Sequence, residues 1–202
     1  MAMYRKSYVC ICEGTQEKMY LEHVANLIKN FPKKVVKFNC YIDKPYRLQK
    51  IYEEMDCGVL FDFDFNQRNF ENSIRLCEKL HGKRRKQNVY HAYSNVNFDL
   101  WLILHKRDYN RTINRNNAYI DDVKRNYGLS RKDDIKKASV IQIILNQITL
   151  SDVKEAIARA EKIKSSKLEW DAVQIGNTKT YSNPDFSLHN FLKVVLEDSR
   201  DL

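Results

Sequence analysis

Asp62 and Asp64 stand one residue apart at the end of the apolar run Leu60-Phe61-Asp62-Phe63-Asp64. Two carboxylates so placed are costly unless a cation neutralises them, and a divalent metal bound through hard oxygen ligands is the usual one. Side chains alternate along a strand, so the pair shares a face if the strand persists to its tip. Such a pair can hold Mg²⁺ and leave positions for water and phosphate oxygens. Aspartate also forms turns after strands, and a solvated strand-end turn is the competing reading.

A second acidic site lies near the start. Residues 7–12 read as a short buried strand that runs into Glu13-Gly14-Thr15-Gln16-Glu17, after which apolar residues recur at helical spacing. Gly14 permits a tight turn and Thr15 is the expected N-cap. In a parallel α/β sheet the carboxyl ends of the strands collect on one edge, where ligands bind, so Glu13 can meet Asp62 and Asp64 there. Glu17, one helical turn later, either faces the same spot or simply favours the helix dipole.

These residues need a scaffold of alternating elements. Strands are expected at 7–12, 35–41, 58–62 and 88–93, and helices at 16–30, 45–55 and 70–80. That alternation implies a mainly parallel sheet with helices on its faces. Beyond Asn97 the pattern turns helical, with helices expected at 98–105, 118–127, 133–147, 152–164 and 185–197, and Ser151 as the N-cap of the fourth. The expected organisation is an α/β core over 1–105 and a helical extension over 106–202 packed on it.

A glutamate after the first strand and Asp-x-Asp after a later one resemble the Toprim domain of topoisomerases, bacterial primases and OLD-type nucleases; the matching residues are Glu13, Asp62 and Asp64. The segment Ala92-Tyr93-Ser94-Asn95-Val96-Asn97-Phe98-Asp99-Leu100-Trp101-Leu102-Ile103-Leu104-His105 resembles the "Ser-Asn-Pro, Phe-Glu, Trp-Leu-Leu-His" block of the RloB family, Toprim-like proteins associated with phage defence and abortive infection. Asn183-Pro184 followed by Ser187-Leu188-His189-Asn190-Phe191-Leu192 resembles that family's ending, so the likeness spans nearly the whole chain. Val96 stands where the family usually has Pro, Asp99 where it usually has Glu, and Thr15-Gln16 replaces the commoner Lys-Thr. The resemblance implies a Toprim-like fold, Mg²⁺ or Mn²⁺ as cofactor, nuclease chemistry, and a separate ATPase partner of the ABC or SMC type.

Composition bounds the partners. The net charge of +9 favours a polyanion, because neutralised phosphates release counterions. Lys83-Arg84-Arg85-Lys86 is the densest basic run; it reads as a loop, either solvated or, beside a metal site, binding nucleic acid. The 12 Tyr and 9 Phe do not interleave with it as a stacking platform would. Five cysteines, Cys10, Cys12, Cys40, Cys57 and Cys77, include no Cys-x-x-Cys and read as buried reduced thiols. No apolar run reaches membrane-span length and the start lacks a signal-peptide core, so a cytoplasmic protein without membrane contact is expected. No phosphate-binding Gly-rich loop is present, so ATP hydrolysis by this chain is not expected.

The residues then take roles in metal-assisted phosphodiester hydrolysis. Asp62 and Asp64 would hold one Mg²⁺, and Glu13, with Glu17, would bind a second ion or orient the attacking water. Asn95 and Asp99 are placed to face the metal, with Asp99 a further ligand. His105 either orients a phosphate or ends its helix favourably. Lys44, Lys83 and Arg85 are candidates for the assisting cation. The expectation is a Mg²⁺-dependent nuclease acting on DNA or RNA in anti-phage defence. The alternatives are a catalytically weak module that binds nucleic acid or the ATPase, and a primase- or topoisomerase-like role disfavoured by the short chain.

Overall fold

The computed structural model describes residues 4–29, 34–47, 55–81 and 88–199. Strands β1 (Tyr4–Cys12), β2 (Lys34–Ile42), β3 (Cys57–Asp62) and β4 (Val89–Asn95) form the parallel part of a five-stranded sheet, interleaved with helices α1 (Thr15–Lys29) and α2 (Gln67–Leu80). After β4 come α3 (Asp99–Leu104), α4 (Ile120–Asn126), α5 (Ala138–Leu145) and α6 (Leu150–Ser165), a hairpin of β5 (Val173–Ile175) and β6 (Thr178–Thr180), the two-residue strand β7 (Asp185–Phe186) and α7 (Leu188–Ser199). The sheet order is β2-β1-β3-β4-β7, with only β7 antiparallel. The protein is thus an α/β fold with a mostly parallel sheet flanked by helices and closed by a C-terminal helix. Among the described residues no helix is long and apolar enough to cross a membrane.

The central strands are apolar on both faces because both are covered. Val9 and Ile11 of β1 join Val59, Phe61, Phe70 and Ile74 in one core, under α2. Tyr8, Cys10 and Cys12 point the other way, into a larger core that also takes Leu21 of α1, Trp101 of α3, Ile144 of α5, Ile157 of α6 and Leu192 of α7. The residues after position 105 therefore share one continuous core with the sheet. None of the five cysteines forms a disulfide.

Three local expectations are corrected. The stretch 133–147 is helical only from Ala138, because Asp133 and Asp134 accept backbone N–H groups from Ser130 (2.7 Å) and Lys136 (3.0 Å), holding 130–136 in turns. The α6 N-cap is Thr149, not Ser151: Thr149 and Asp152 make a reciprocal capping box two residues earlier. The helix expected at 185–197 instead begins at Leu188, because Asp185 is a buried strand residue that accepts from Tyr93 Oη, Lys164 Nζ and the Tyr181 amide at 2.7–2.9 Å. The hairpin β5–β6 was not expected. Glu78 of α2 accepts from the Asn177 amide and Thr178 Oγ1 at its turn, and Gly176 there has φ +60. Of the helix expected at 45–55, only the 3₁₀ turn Pro45–Arg47 and position 55 lie within the described residues.

Candidate active site at the sheet edge

β1 lies between β2 and β3, so the chain leaves it in one direction through α1 to β2 and later returns on its other side. That is a topological switch point, where a crevice opens beyond the carboxyl ends of the strands. Glu13 follows β1 and Asp62 ends β3, and the two meet: the Asp62 amide donates to Glu13 Oε2 at 3.1 Å. Lys44, just after β2, stands with Nζ 3.8 Å from Glu13 Oε1.

Asp64 arrives differently from the expected alternation. β3 stops at Asp62, and Asp64 and Phe65 take left-handed backbone angles, φ 45 and 54, in a turn. Val96 O, just after β4, accepts from the Phe63 and Asp64 amides, both at 3.0 Å. The shared strand face is therefore replaced by a turn that leaves Asp64 exposed at the rim. Aspartate tolerates the left-handed region better than most residues.

Glu17 and Asp99 complete the cluster from below. Glu17, in the first turn of α1, is buried, and its Oε2 has no hydrogen-bond partner. A Cβ at Gly14 would lie 3.1 Å from that oxygen, so the glycine leaves the acid its room. Asp99, at the start of α3, is buried and paired with Lys136 Nζ at 2.8 Å; the same ammonium donates to Gln16 Oε1 at 2.9 Å. Lys136, set by the 130–136 turns, was not anticipated. Five carboxylates thus surround an edge with Lys136 within it and Lys44 at its rim. Among the described residues, no three Asp, Glu, His or Cys side chains converge closely enough to ligate a metal as they stand.

The electrostatics follow. Burial, then the Glu17 and Asp64 charges, push Asp62 well above the ordinary carboxylate range. Partial desolvation of its carboxyl at the rim, then the Glu13 charge, raises Asp64, and burial raises Glu17. Lys136 is raised, its desolvation outweighed by Asp99, Asp62 and Glu17.

The remaining expected residues lie apart. Asn95 ends β4, donates to Tyr181 O at 3.0 Å, and keeps a buried Oδ1 without a partner. Its neighbour Asn97 serves the site instead, accepting from the Asp99 amide at 3.2 Å. His105 is in the core, its ring nitrogens engaged by Trp101 O (2.8 Å) and Tyr20 Oη (3.0 Å). Burial lowers it to about 3. Lys83, Arg84, Arg85 and Lys86 lie outside the described residues.

Two predictions arise here. Removing the Lys136 ammonium leaves a buried Asp99 charge unpartnered, so Lys136→Met should cost about 1–3 kcal/mol, read as a lower urea midpoint at pH 8. An unchanged midpoint would mean that Asp99 has another counterion. The second concerns pH. Raised acids keep protons in the fold that the unfolded chain has released, so their contribution to stability falls as pH climbs above their ordinary range. His105, His189 (lowered to about 4) and His91, all lowered chiefly by burial, act oppositely: stability falls as pH drops below the unfolded value of 6.5. The two trends oppose each other near pH 6.5, but above pH 7.5 the histidines are neutral in both states and the urea midpoint should fall from pH 7.5 to pH 8.5. A midpoint that rises over that interval would contradict the raised acids.

A family model for RloB-like protein matches residues 8–186. The chain belongs to the RloB-like family. The match runs from β1 to β7, so it takes in every acid of the RloB-like site as well as Lys136. No curated protein and no solved structure matches this chain.

Proposed function

We propose that this RloB-like protein is a metal-dependent nuclease of Toprim type that hydrolyses phosphodiester bonds of DNA or RNA. The observation that carries the reading is the meeting of Glu13 and Asp62 at the switch point, with Glu17, Asp64 and Asp99 gathered on the same edge. The donor chemistry fits a hard divalent cation: all five are carboxylates, and the buried Glu17 Oε2 lacks a partner. Glu13, Asp62 and Asp64 would hold Mg²⁺ or Mn²⁺, with Asp99 as a further ligand once released from Lys136. When bound, the ion would supply charge stabilisation for the phosphate and a more acidic water.

The chain's own residues do the rest. Glu17, raised above an ordinary acid, is suited to take a proton from an attacking water near neutral pH. Lys44 and Lys136 bring positive charge to an edge that would otherwise repel phosphate. Lys136 also orients Asp99 and Gln16. By family likeness, the role is that of a cytoplasmic effector in anti-phage defence, working with a separate ATPase of the ABC or SMC type.

One observation favours a second reading. Lys136 already neutralises part of the cluster, as it would in a module that binds nucleic acid or the ATPase without chemistry. Purified protein, alone and with candidate ATPases, incubated with DNA and RNA pools and Mg²⁺ or Mn²⁺, separates the two. Cleavage that requires the metal and disappears in Asp64→Ala supports the nuclease. Salt-sensitive binding with no cleavage in any combination favours the module.

A further inference from the structure

A cleft of about 560 Å³ lies away from the acids, between the loop following α3 and helix α4, and Arg111, Arg115 and Arg125 line it together with Asp121 and Asp122. Asp122 is already saturated. It accepts from Arg107 Nη2 at 2.7 Å, Tyr109 Oη at 3.0 Å and Arg125 Nη1 at 3.3 Å, which fixes Arg125 against the wall. Arg111 and Arg115 are exposed and form no ion pair with any described carboxylate. Three guanidinium groups line the cleft against two carboxylates, and Asp122 is also paired with Arg107, so the cleft is cationic.

The loop that carries these arginines is held at two points. Asn183, on the way into β7, accepts from the Ile113 amide at 2.8 Å and donates to Ile113 O at 3.1 Å. Asn97 donates to Asn116 O at 2.7 Å, and the same Asn97 accepts from the Asp99 amide. One side chain thus joins the arginine loop to the start of α3, where the acidic site begins. A guanidinium presents a planar fork that matches phosphate oxygens, and a preorganised loop loses little freedom on binding.

We propose that this cleft grips the backbone phosphates of the nucleic-acid strand presented to the acidic edge, with Arg111 and Arg115 as the free phosphate ligands. The proposal rests on the nucleic-acid substrate of the proposed function but not on cleavage. It assigns the grip to the helical half of the chain.

The test is fluorescence anisotropy of labelled single-stranded and duplex oligonucleotides against the full-length protein, in EDTA, across a salt series. Arg111→Ala/Arg115→Ala should weaken binding at least about tenfold and flatten the log K against log salt slope by about 2. The charge-matched control Lys132→Ala/Lys154→Ala should change both little, and Asp121→Asn should tighten binding, a gain that misfolding cannot produce. An arginine variant indistinguishable from the control overturns the proposal. So does binding of inorganic phosphate without oligonucleotide. Asp62→Ala should bind with the same arginine dependence. If that holds while no metal condition yields cleavage, the nuclease reading fails and the grip stands; if cleavage occurs with unchanged binding by the arginine variant, the reverse is true.

Discussion

Asp62→Asn should lower the proposed metal-dependent cleavage by about 10²–10³-fold and yet melt at a higher temperature than the parent at pH 8. The two effects share a cause. Asp62 is held above its ordinary pKa first by burial and then by the Glu17 and Asp64 charges, so its ionised form is a cost to the fold at neutral pH. Asparagine keeps the shape and removes the charge. The gain should shrink on acidification toward the ordinary carboxylate range, where the parent's Asp62 is protonated in both states. Mg²⁺ should raise the parent's melting temperature more than the variant's, because ligand binding to the native state is itself stabilising. A variant that is both inactive and less stable would point to a structural role for the Asp62 carboxylate, and full activity would remove it from the site.

Gly58→Ala should destabilise the protein by about 2–3 kcal/mol, a drop of roughly 4–12 °C in Tm, without touching the acids. A methyl at Gly58 would lie 2.6 Å from two carbons of the Phe191 ring. That ring is fully buried, with Tyr8 edge-on at 5.7 Å and Tyr90 and Phe38 tilted against it at 5.7 and 6.3 Å, so it has nowhere to retreat. Gly58→Ala combined with Phe191→Leu should lose less than the sum of the single changes, because the smaller side chain frees the space the methyl needs. Strict additivity in urea unfolding would show that the ring moves freely after all.

What could be read from the residues follows their range. Glu13 and Asp62 were legible because each sits where an apolar strand meets a turn, and parallel topology brings such ends together. Asp64 belongs to the same edge but through a turn, since Val96, distant in sequence, supplies the carbonyl that bends the chain there. Lys136 was not legible: it lies 120 positions from Gln16, in a segment whose periodicity suggested a helix, and only the Asp133-Asp134 pair hinted at turns. The β5–β6 hairpin did carry a local signal, since Gly176-Asn177 between Val173-Gln174-Ile175 and Thr178-Lys179-Thr180 suits a two-residue turn. His105 and Asn95 sit in motif-like positions, yet both ring nitrogens of His105 are engaged by Tyr20 and Trp101 and the side-chain nitrogen of Asn95 by Tyr181, contacts that spacing alone does not reveal.

The hydrogen bond from the Asp62 amide to Glu13 has a spectroscopic consequence. Most amides of a central strand donate to a neighbouring strand and report only on the sheet; this one donates to a side chain of the site. Its ¹⁵N–¹H resonance is therefore a native label at the centre of the cluster, shifting when the Glu13 carboxylate gains another ligand and requiring no mutation to read.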